Sequence, residues 1–444
     1  MKQAAKQMTT ELIDFIAHSQ TAFQCVESLS ARLTAEGFTH LHDGDDWTLE
    51  AGKGYFVTRN LSAIVAFRMP KTTPTAFRIT ASHSDSPTFA LKDAYESESC
   101  GHYLRLNTER YGGMILSSWL DRPLSIAGRV VVREDDRFVA RPVALDKDLV
   151  LIPNVAIHQN RAVNDGYKYN PASDMMPLFG DQTAKGKLLA EIAEAAGTAK
   201  ENIVSSDLYL YCRTPGTIWG ADDVFFSAPR IDNLMCAYAT LRAFLAASPA
   251  ESDGGVSVFA VFDNEETGSE TKQGAGSALL RDILSRIAEE TETDLRRLLA
   301  SSFMVSADNG HAKHPNHPEL SDAQNAPYMN GGVVIKANAS QKYATEALSR
   351  ALFSEICARA GVPVQNFANR SDVLGGSTLG SISDSRVPLL TVDIGMAQLA
   401  MHSCYETAGT LDTLYLVNAC KEFYETEISS SADGCYTLVK KSAQ

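Results

Sequence analysis

The segment GGVSVFAVFDNEETGS, residues 254–269, constrains the fold of this 444-residue chain more than any other. Its apolar run, residues 256–262, has the length of one β-strand and no regular alternation of apolar and polar side chains. Strands of this kind are buried on both faces, which requires helices above and below the sheet. The segment therefore predicts an α/β fold with a central, mostly parallel sheet flanked by helices.

The same run ends in a dense group of negative charges. Asp263, Glu265 and Glu266 place three carboxylates within four residues. Like charges this close repel one another, and burying them costs free energy unless a positive group compensates. Lys272 is the nearby basic residue and is too isolated to do so. A bound metal ion is one explanation.

Apolar strands and amphipathic helices alternate over residues 228–444, and helical spacing also opens the N-terminal part of the chain. Between these parts, segments such as SIAGRVVVRE and DLYLYCR have the character of strands separated by turns. A chain of this length suggests two domains or one domain with a large insert. We expect one discontinuous α/β domain, residues 1–91 and 228–444, and an inserted β-rich domain, residues 92–227.

Composition excludes several classes of function. Forty lysines and arginines against 54 aspartates and glutamates give a net charge of −14, which argues against nucleic-acid and membrane-surface partners. We find no apolar run of 18 residues and no signal-peptide core at the N-terminus. The eight cysteines form no CxxC pair, which is typical of reduced thiols. We therefore expect a cytoplasmic protein.

Histidines and carboxylates follow several of the predicted strands, at the edge where α/β sheets bind their ligands. These candidate residues are His83, Asp85, Asp232, Glu265, Glu266, Asp308 and His402. Taken singly, Asp232 could be a helix N-cap and Asp308 a turn residue. Taken together, two histidines and three carboxylates are what a pair of zinc-like ions requires, with one carboxylate bridging them.

The remaining two carboxylates have a chemical use beside such a metal pair. Glu265 and Glu266 are adjacent at a strand end and point in different directions, so one can bind metal while the other deprotonates a water. Asp85, two residues after His83, lies on the same side of an extended segment. There it can accept the second imidazole N–H and fix the tautomer of the histidine. The pattern indicates a metal-dependent hydrolase.

The motifs SHSDSP, RIDN, FDNEETGS, SADNGHAKHPN and QLAMHSCYE resemble, in order and spacing, those of the aspartyl aminopeptidase family of dinuclear metallopeptidases, bacterial members in particular. The resemblance extends along essentially the whole chain. It implies a catalytic α/β domain interrupted by a β-rich domain that mediates dimerisation and assembly, usually into a homo-oligomeric dodecamer. It also implies removal of an N-terminal residue, preferentially Asp or Glu, from peptides.

The same resemblance implies metal ligands in two sets that share one carboxylate: His83, Asp232 and Asp308 for one ion, and Asp232, Glu266 and His402 for the other. Glu265 would be the general base, and Asp85 would orient His83. Zinc is the expected metal for both positions, with cobalt or manganese as alternatives that suit nitrogen and oxygen ligands equally well.

The resemblance also implies substrate contacts. Lys336 and Tyr343 match a pair that lines the pocket for an acidic side chain, although a surface lysine is the alternative. In a chain of charge −14, a buried ammonium would have to supply that attraction locally. His311 and His314 would lie near the metal ligands or contact the intermediate. His158 would reach a neighbouring subunit's active site, bind metal, or lie in an exposed loop.

Two other functions stay open at this point. A related dinuclear scaffold could serve an amidase, a deacylase or a carboxypeptidase, or the chain could be a non-catalytic, shell-forming protein. A complete ligand set with an apparent base argues against the non-catalytic alternative. His317 and the glycine pair at residues 375–376 have no assigned role.

Overall fold

The structure, a computed structural model, describes residues 1–439. These residues contain nine α-helices: α1 Lys2–Ala17, α2 Ala22–Ala35, α3 Lys187–Ala195, α4 Ile231–Ala246, α5 Leu279–Glu290, α6 Leu295–Ala300, α7 Ala347–Arg359, α8 Leu379–Asp384 and α9 Asp412–Glu425. They also contain 22 strands: β1 Thr39–Leu41, β2 Gly54–Arg59, β3 Ala63–Arg68, β4 Ala76–His83, β5 Thr88–Ser99, β6 Tyr103–Tyr111, β7 Leu124–Glu134, β8 Arg137–Ala144, β9 Leu178–Asp181, β10 Ile203–Cys212, β11 Thr217–Trp219, β12 Phe225–Ala228, β13 Gly255–Phe262, β14 Phe303–Ala307, β15 Gly310–His311, β16 Val333–Lys336, β17 Val364–Phe367, β18 Leu390–Gly395, β19 Ala397–Leu399, β20 Glu406–Gly409, β21 Glu427–Ala432 and β22 Cys435–Val439.

The largest sheet has nine strands in the order β1-β2-β3-β13-β4-β14-β18-β16-β17. Its four central strands, β13, β4, β14 and β18, are parallel to one another. Antiparallel pairs join β3 to β13 and β16 to β18. The structure therefore confirms the predicted α/β class, with a mixed, mostly parallel sheet flanked by helices.

The strand β13 explains why residues 256–262 lack apolar–polar alternation. Phe259 and Val261 pack into a core shared with α1, α2, α4, α7 and α9, while Val258 and Ala260 pack into a second core with α5, α6 and α8. Both faces of the strand are covered, so both sets of side chains are apolar. The charged segment, residues 263–266, follows directly after this strand.

A second sheet lies between Thr88 and Cys212 in the chain. Its six antiparallel strands have the order β8-β7-β10-β5-β6-β9. The short helix α3 packs Leu188 and Ile192 into the core of this sheet. Only strands are predicted for this region, because nine residues give too short a stretch of helical spacing to stand out.

A third sheet has the order β11-β12-β20-β19-β15. The strand β12 pairs with β11 and β20, outside the six-stranded sheet, although the sequence pattern groups it with the β-rich region. Pairing depends on which strand edge is available nearby, and local composition does not report that. The predicted limits of the inserted domain, residues 92 and 227, stay a prediction. Among residues 1–439, no helix has the length and apolar character needed to cross a membrane.

Candidate metal centre

The strand ends of the nine-stranded sheet bring the predicted ligands together. His83 is the last residue of β4 and lies in register with Phe262, the last residue of the parallel strand β13. Asp308 follows β14, and Asp232 lies in the first turn of α4. Because parallel strands end at one edge of a sheet, side chains from distant parts of the chain meet there.

Asp232 lies between the two imidazoles. Its Oδ1 is 3.7 Å from Nε2 of His83, and its Oδ2 is 3.5 Å from Nε2 of His402. Each imidazole has one further carboxylate: Asp308 Oδ1 lies 3.5 Å from His83 Nε2, and Glu266 Oε2 lies 3.4 Å from His402 Nε2. Asp232 thus presents one oxygen to each imidazole, which is the arrangement of a bridging ligand.

The other ring nitrogen of each histidine donates a hydrogen bond that fixes its tautomer. His83 Nδ1 lies 3.1 Å from the backbone oxygen of Asp85 and 3.3 Å from its Oδ1. His402 Nδ1 donates to the carbonyl of Gly113 over 2.6 Å. A carbonyl can only accept, so the proton lies on Nδ1 and Nε2 is left to face the carboxylates.

The donor atoms fit a divalent metal. One donor atom from each of His83, Asp232 and Glu266 lies within 4.8 Å of the others. Within residues 1–439, Asp232 Oδ1 and Glu266 Oε1 are buried and accept no hydrogen bond. Buried carboxylate oxygens without donors cost free energy, which a cation bound between them would recover. Imidazole nitrogen and carboxylate oxygen are also the ligands that zinc prefers outside thiolate sites.

The pKa values show how strongly the cluster attracts positive charge. Burial raises the pKa of Glu266 well above its usual range, and the neighbouring Asp232 adds to the effect. Burial would lower the pKa of His402, but its bond to Asp232 and the charge of Glu266 raise that pKa to about 10. The pKa of His83 is likewise raised, because hydrogen bonds with Asp308 and Asp85 outweigh its burial. The surrounding carboxylates therefore favour positive charge at both imidazoles, which is the charge that a bound cation would supply.

Asp85 connects the end of β4 to the segment that carries the two glutamates. Its carboxylate accepts the backbone N–H groups of Glu265 and Glu266, each at 3.1 Å, and the hydroxyl of Tyr111 at 2.6 Å. Burial opposes its ionisation, yet the hydrogen bond and charge of His83 lower its pKa. Asp85 thus lies where the sequence predicts an orienting partner for His83.

Glu265 lies in the short turn after β13, next to these groups. Burial raises its pKa to about 8, against the opposing effect of the His83 imidazole. The carboxylates of Asp308, Asp85 and Asp232 raise the pKa further. A carboxyl group with a pKa near neutrality can both take and return a proton at physiological pH.

Of the predicted substrate residues, Lys336 and Tyr343 lie beside the cluster. Lys336 is buried, with Nζ 3.4 Å from Asp308 Oδ2, 3.0 Å from the Asn309 carbonyl and 5.5 Å from the Tyr343 ring centre. His311 is exposed at the end of β15, its ring 6.2 Å from that of Phe367.

Within residues 1–439, neither His314 nor His158 forms a hydrogen bond or ion pair with the cluster. His314 accepts the backbone N–H of Asn316 and lies beside the exposed His317, their ring centres 5.3 Å apart. His158 is exposed, and within residues 1–439 it makes no hydrogen bond or ion pair with the other predicted site residues. One chain therefore brings together all the predicted ligands but not all the predicted substrate contacts.

Three residues at the cluster are absent from the sequence prediction: Tyr111, Gly113 and Glu406. Tyr111 and Gly113 come from the six-stranded sheet and the loop that follows β6. Glu406 accepts backbone N–H groups from Asp232 and His402. Glu406 is part of the motif QLAMHSCYE. Its position four residues after His402 is the sequence feature that could have indicated its role.

The family model for aminopeptidase I zinc metalloproteases, M18, matches residues 15–424 of the chain. The chain belongs to the M18 aminopeptidase family. The M18 chain is 43% identical over 425 residues to a probable M18 family aminopeptidase 2 of Clostridium acetobutylicum, which covers 93% of this chain and 98% of the relative. It is 36% identical over 465 residues to a probable aspartyl aminopeptidase of Ricinus communis, with 94% of each sequence covered.

Among solved structures, the S. cerevisiae mApe1 dodecamer superimposes on this M18 aminopeptidase with a TM-score of 0.84 at 27% identity, over 94% of this chain and 96% of that chain. The comparisons confirm the family predicted from the motifs. The protein is accordingly a zinc metalloprotease of the aminopeptidase type, rather than an amidase, a carboxypeptidase or a non-catalytic relative.

Proposed function

We propose that this M18 aminopeptidase binds two divalent ions, zinc in the first instance, and removes N-terminal Asp or Glu from peptides. The observation that carries the proposal is the position of Asp232, whose two oxygens each face a different imidazole. One ion would be held by His83, Asp232 and Asp308, and the other by Asp232, Glu266 and His402. Cobalt and manganese are alternatives that the same nitrogen and oxygen ligands accept.

The residues of the chain would divide the chemistry of peptide hydrolysis between them. Divalent ions, when bound, supply a water of lowered pKa and a polarised scissile carbonyl. Glu265 would take a proton from the attacking water and return it to the leaving amine, a role that suits a pKa of about 8. Asp85 keeps the His83 proton on Nδ1, so that Nε2 stays free to bind metal.

The acidic preference is supported by Lys336 and Tyr343. Lys336 carries a positive charge next to Asp308, in a chain whose net charge of −14 would otherwise repel an acidic substrate. The Ricinus communis relative is named a probable aspartyl aminopeptidase. His311, the last residue of β15, and His314, in the loop after it, are proposed to contact the substrate.

Assembly into a homo-oligomer is part of the same proposal. We infer that residues 92–227 form an inserted domain that contacts other copies of the chain, and the separate six-stranded sheet supports this inference. Val155 and Ile157 are exposed apolar residues beside His158, which suits a surface covered by a neighbouring subunit. The S. cerevisiae relative is a dodecamer. His158 would then complete a neighbouring active site.

Metal analysis combined with a substrate panel tests the proposal. The protein is stripped with a chelator, reloaded with zinc, and assayed on Asp, Glu, Ala and Leu p-nitroanilides and on their N-acetylated forms. We expect two zinc ions per chain, activity restored by zinc, and the fastest release from Asp or Glu with a free amine. A single zinc per chain would exclude the bridging role of Asp232, and faster release from Leu would exclude the acidic preference.

Two lysine variants test the source of that preference. Lys336→Met should lower the ratio of Asp to Leu cleavage by about tenfold or more, because removing a charge partner of a substrate carboxylate costs at least about 1.4 kcal/mol. Lys342→Met, an exposed lysine six residues away, is the matched control and should leave the ratio unchanged. Zinc content is measured in both variants, since Lys336 also contacts Asp308.

A further inference from the structure

Glu406 is a buried carboxylate that the proposed chemistry does not use. It is the first residue of β20, and only 1% of it is exposed. Its Oε2 accepts the backbone N–H of Asp232 at 2.9 Å, and its Oε1 accepts the backbone N–H of His402 at 2.7 Å. A single side chain thus holds the backbones of two proposed ligands.

The two N–H groups need such a partner. Asp232 has φ −81° and ψ 108°, which is not helical although it lies in the first turn of α4. His402 has a left-handed φ of 65° in the loop before β20. Backbone N–H groups at such positions have no regular helix or sheet acceptor, and leaving one buried without an acceptor is unfavourable.

Strand pairing brings Glu406 to this place. Ala228 of β12 lies opposite Glu406 of β20, and the chain enters α4 a few residues after Ala228. Glu406 therefore reaches Asp232 across 174 residues of sequence. The pairing of these two short strands thus places the Glu406 carboxylate beside the backbone of Asp232.

A further hydrogen bond orients Glu406 itself. Gln398 Nε2 donates to Glu406 Oε1 at 3.4 Å, and Gln398 Oε1 accepts from the side-chain amide of Asn309 at 2.9 Å. Asn309 follows the proposed ligand Asp308 in the chain. These hydrogen bonds therefore connect the segment after Asp308 to the loop that carries His402. Within this network, Glu406 is the residue that contacts both Asp232 and His402.

We propose that Glu406 is a positioning residue for the metal centre: by holding the backbones of Asp232 and His402 at a fixed separation, it sets the zinc affinity of the centre. The inference rests on the ligands named in the proposed function. Residues that hold metal ligands in place typically change metal affinity or activity by about 10–100-fold when they are replaced.

Two substitutions separate the parts of this role. Glu406→Gln keeps the size of the side chain but has one amide oxygen, so one of the two N–H groups must face an NH₂ donor. Glu406→Asp keeps the charge but is one methylene shorter, so it cannot reach both N–H groups at once. Asp412→Asn is the matched control, since Asp412 is also fully buried and accepts the backbone N–H of Asn330 at 2.7 Å, away from the ligands.

The experiment is a zinc titration of the metal-free proteins against a competing chelator, with melting temperature, kcat and KM measured on the same samples. We expect both Glu406 variants to bind zinc about 10–100-fold more weakly and to lose kcat at unchanged KM when partly loaded. Asp412→Asn should lower the melting temperature without changing zinc affinity. Wild-type zinc affinity in Glu406→Gln and Glu406→Asp would overturn the proposal, as would an equal loss of affinity in Asp412→Asn.

A failure of the Glu406 proposal can be distinguished from a failure of the proposed function. If the wild-type protein binds zinc but releases no N-terminal Asp or Glu, the proposed substrate fails while the affinity measurement still tests Glu406. If one of the two variants, Glu406→Gln or Glu406→Asp, shows no cooperative thermal transition, zinc affinity is measured in the other variant. Unchanged affinity in that folded variant would overturn the positioning role.

Discussion

The metal centre has two unlike halves, which differ in what holds their histidines. The inner half comprises His83, Asp308 and the Oδ1 side of Asp232, and the outer half comprises His402, Glu266 and the Oδ2 side. The His83 side chain is 1% exposed and that of His402 is 33% exposed.

The histidines also differ in the origin of their partners. His83 is oriented by Asp85, two residues along the chain. His402 is oriented by the carbonyl of Gly113, 289 residues away, and its backbone is held by Glu406. The orientation of His83 therefore depends on its own strand end, whereas that of His402 depends on contacts between separate sheets.

The largest predicted effect concerns the group that serves both halves. Glu265→Gln should lower kcat by about 10²–10⁴-fold, because the amide cannot take a proton from water. Zinc content should stay at the wild-type value, since Glu265 is not a proposed ligand of either half. Glu270→Gln, an exposed glutamate five residues away, is the control and should retain turnover. Wild-type turnover in Glu265→Gln would remove this residue from the role of base.

Alanine substitutions of the two histidines distinguish the halves. Both His83→Ala and His402→Ala should reduce zinc affinity by more than about 100-fold. This is the largest loss expected when only a residue that orients a ligand is replaced. His83→Ala should destabilise the metal-free protein more than His402→Ala, by up to about 3–5 kcal/mol, because the imidazole of His83 is itself buried with its carboxylates whereas that of His402 is one-third exposed. Urea unfolding with the metal removed measures this difference. Equal destabilisation in both variants would contradict the distinction between the halves.

Much of the inner half could be predicted from sequence because its determinants are local. His83 ends an apolar strand, Asp85 lies two residues after it, and Asp308 follows another strand. The rule that ligands gather at the carboxyl ends of parallel strands then places them together without knowledge of the packing. The α/β class could be predicted for the same reason, since buried strands and amphipathic helices each leave a periodic pattern.

The supports of the outer half could not be predicted, since they depend on which sheets meet. Gly113 contributes a backbone carbonyl, and any residue type has one, so the sequence has no signal for this contact. Glu406 reaches Asp232 through the pairing of β12 with β20, two four-residue strands whose partners the local pattern leaves open. Periodicity identifies strands but does not determine which of them pair across 174 residues.

Proton competition gives a third, smaller effect. In the metal-free protein the pKa of His402 is about 10, raised by Asp232 and Glu266 against the effect of burial, and that of His83 is also raised. Zinc must therefore displace a proton from each imidazole, so its apparent affinity should fall as pH falls, by about tenfold per pH unit for each proton displaced. Chelator competition at pH 6, 7 and 8 measures the slope. His402→Ala should reduce the slope by one proton, and a slope of zero in the wild-type protein would contradict this account.

The smallest predicted effect tests whether the inner half is as self-contained as its sequence suggests. Tyr111 of β6 belongs to the six-stranded sheet, yet its hydroxyl donates to Asp85 at 2.6 Å and accepts from Asn264 at 2.8 Å. Tyr111→Phe should lower kcat by about tenfold and retain zinc. A tenfold loss is the low end of the range expected when a residue that supports a metal ligand is replaced. Tyr209→Phe is the control: its ring centre lies 5.6 Å from that of Tyr111, and its hydroxyl makes no hydrogen bond within residues 1–439. If Tyr111→Phe instead released zinc as readily as Glu406→Gln, both halves would depend on contacts between sheets, and the local organisation of the inner half would not be sufficient to hold its ligands.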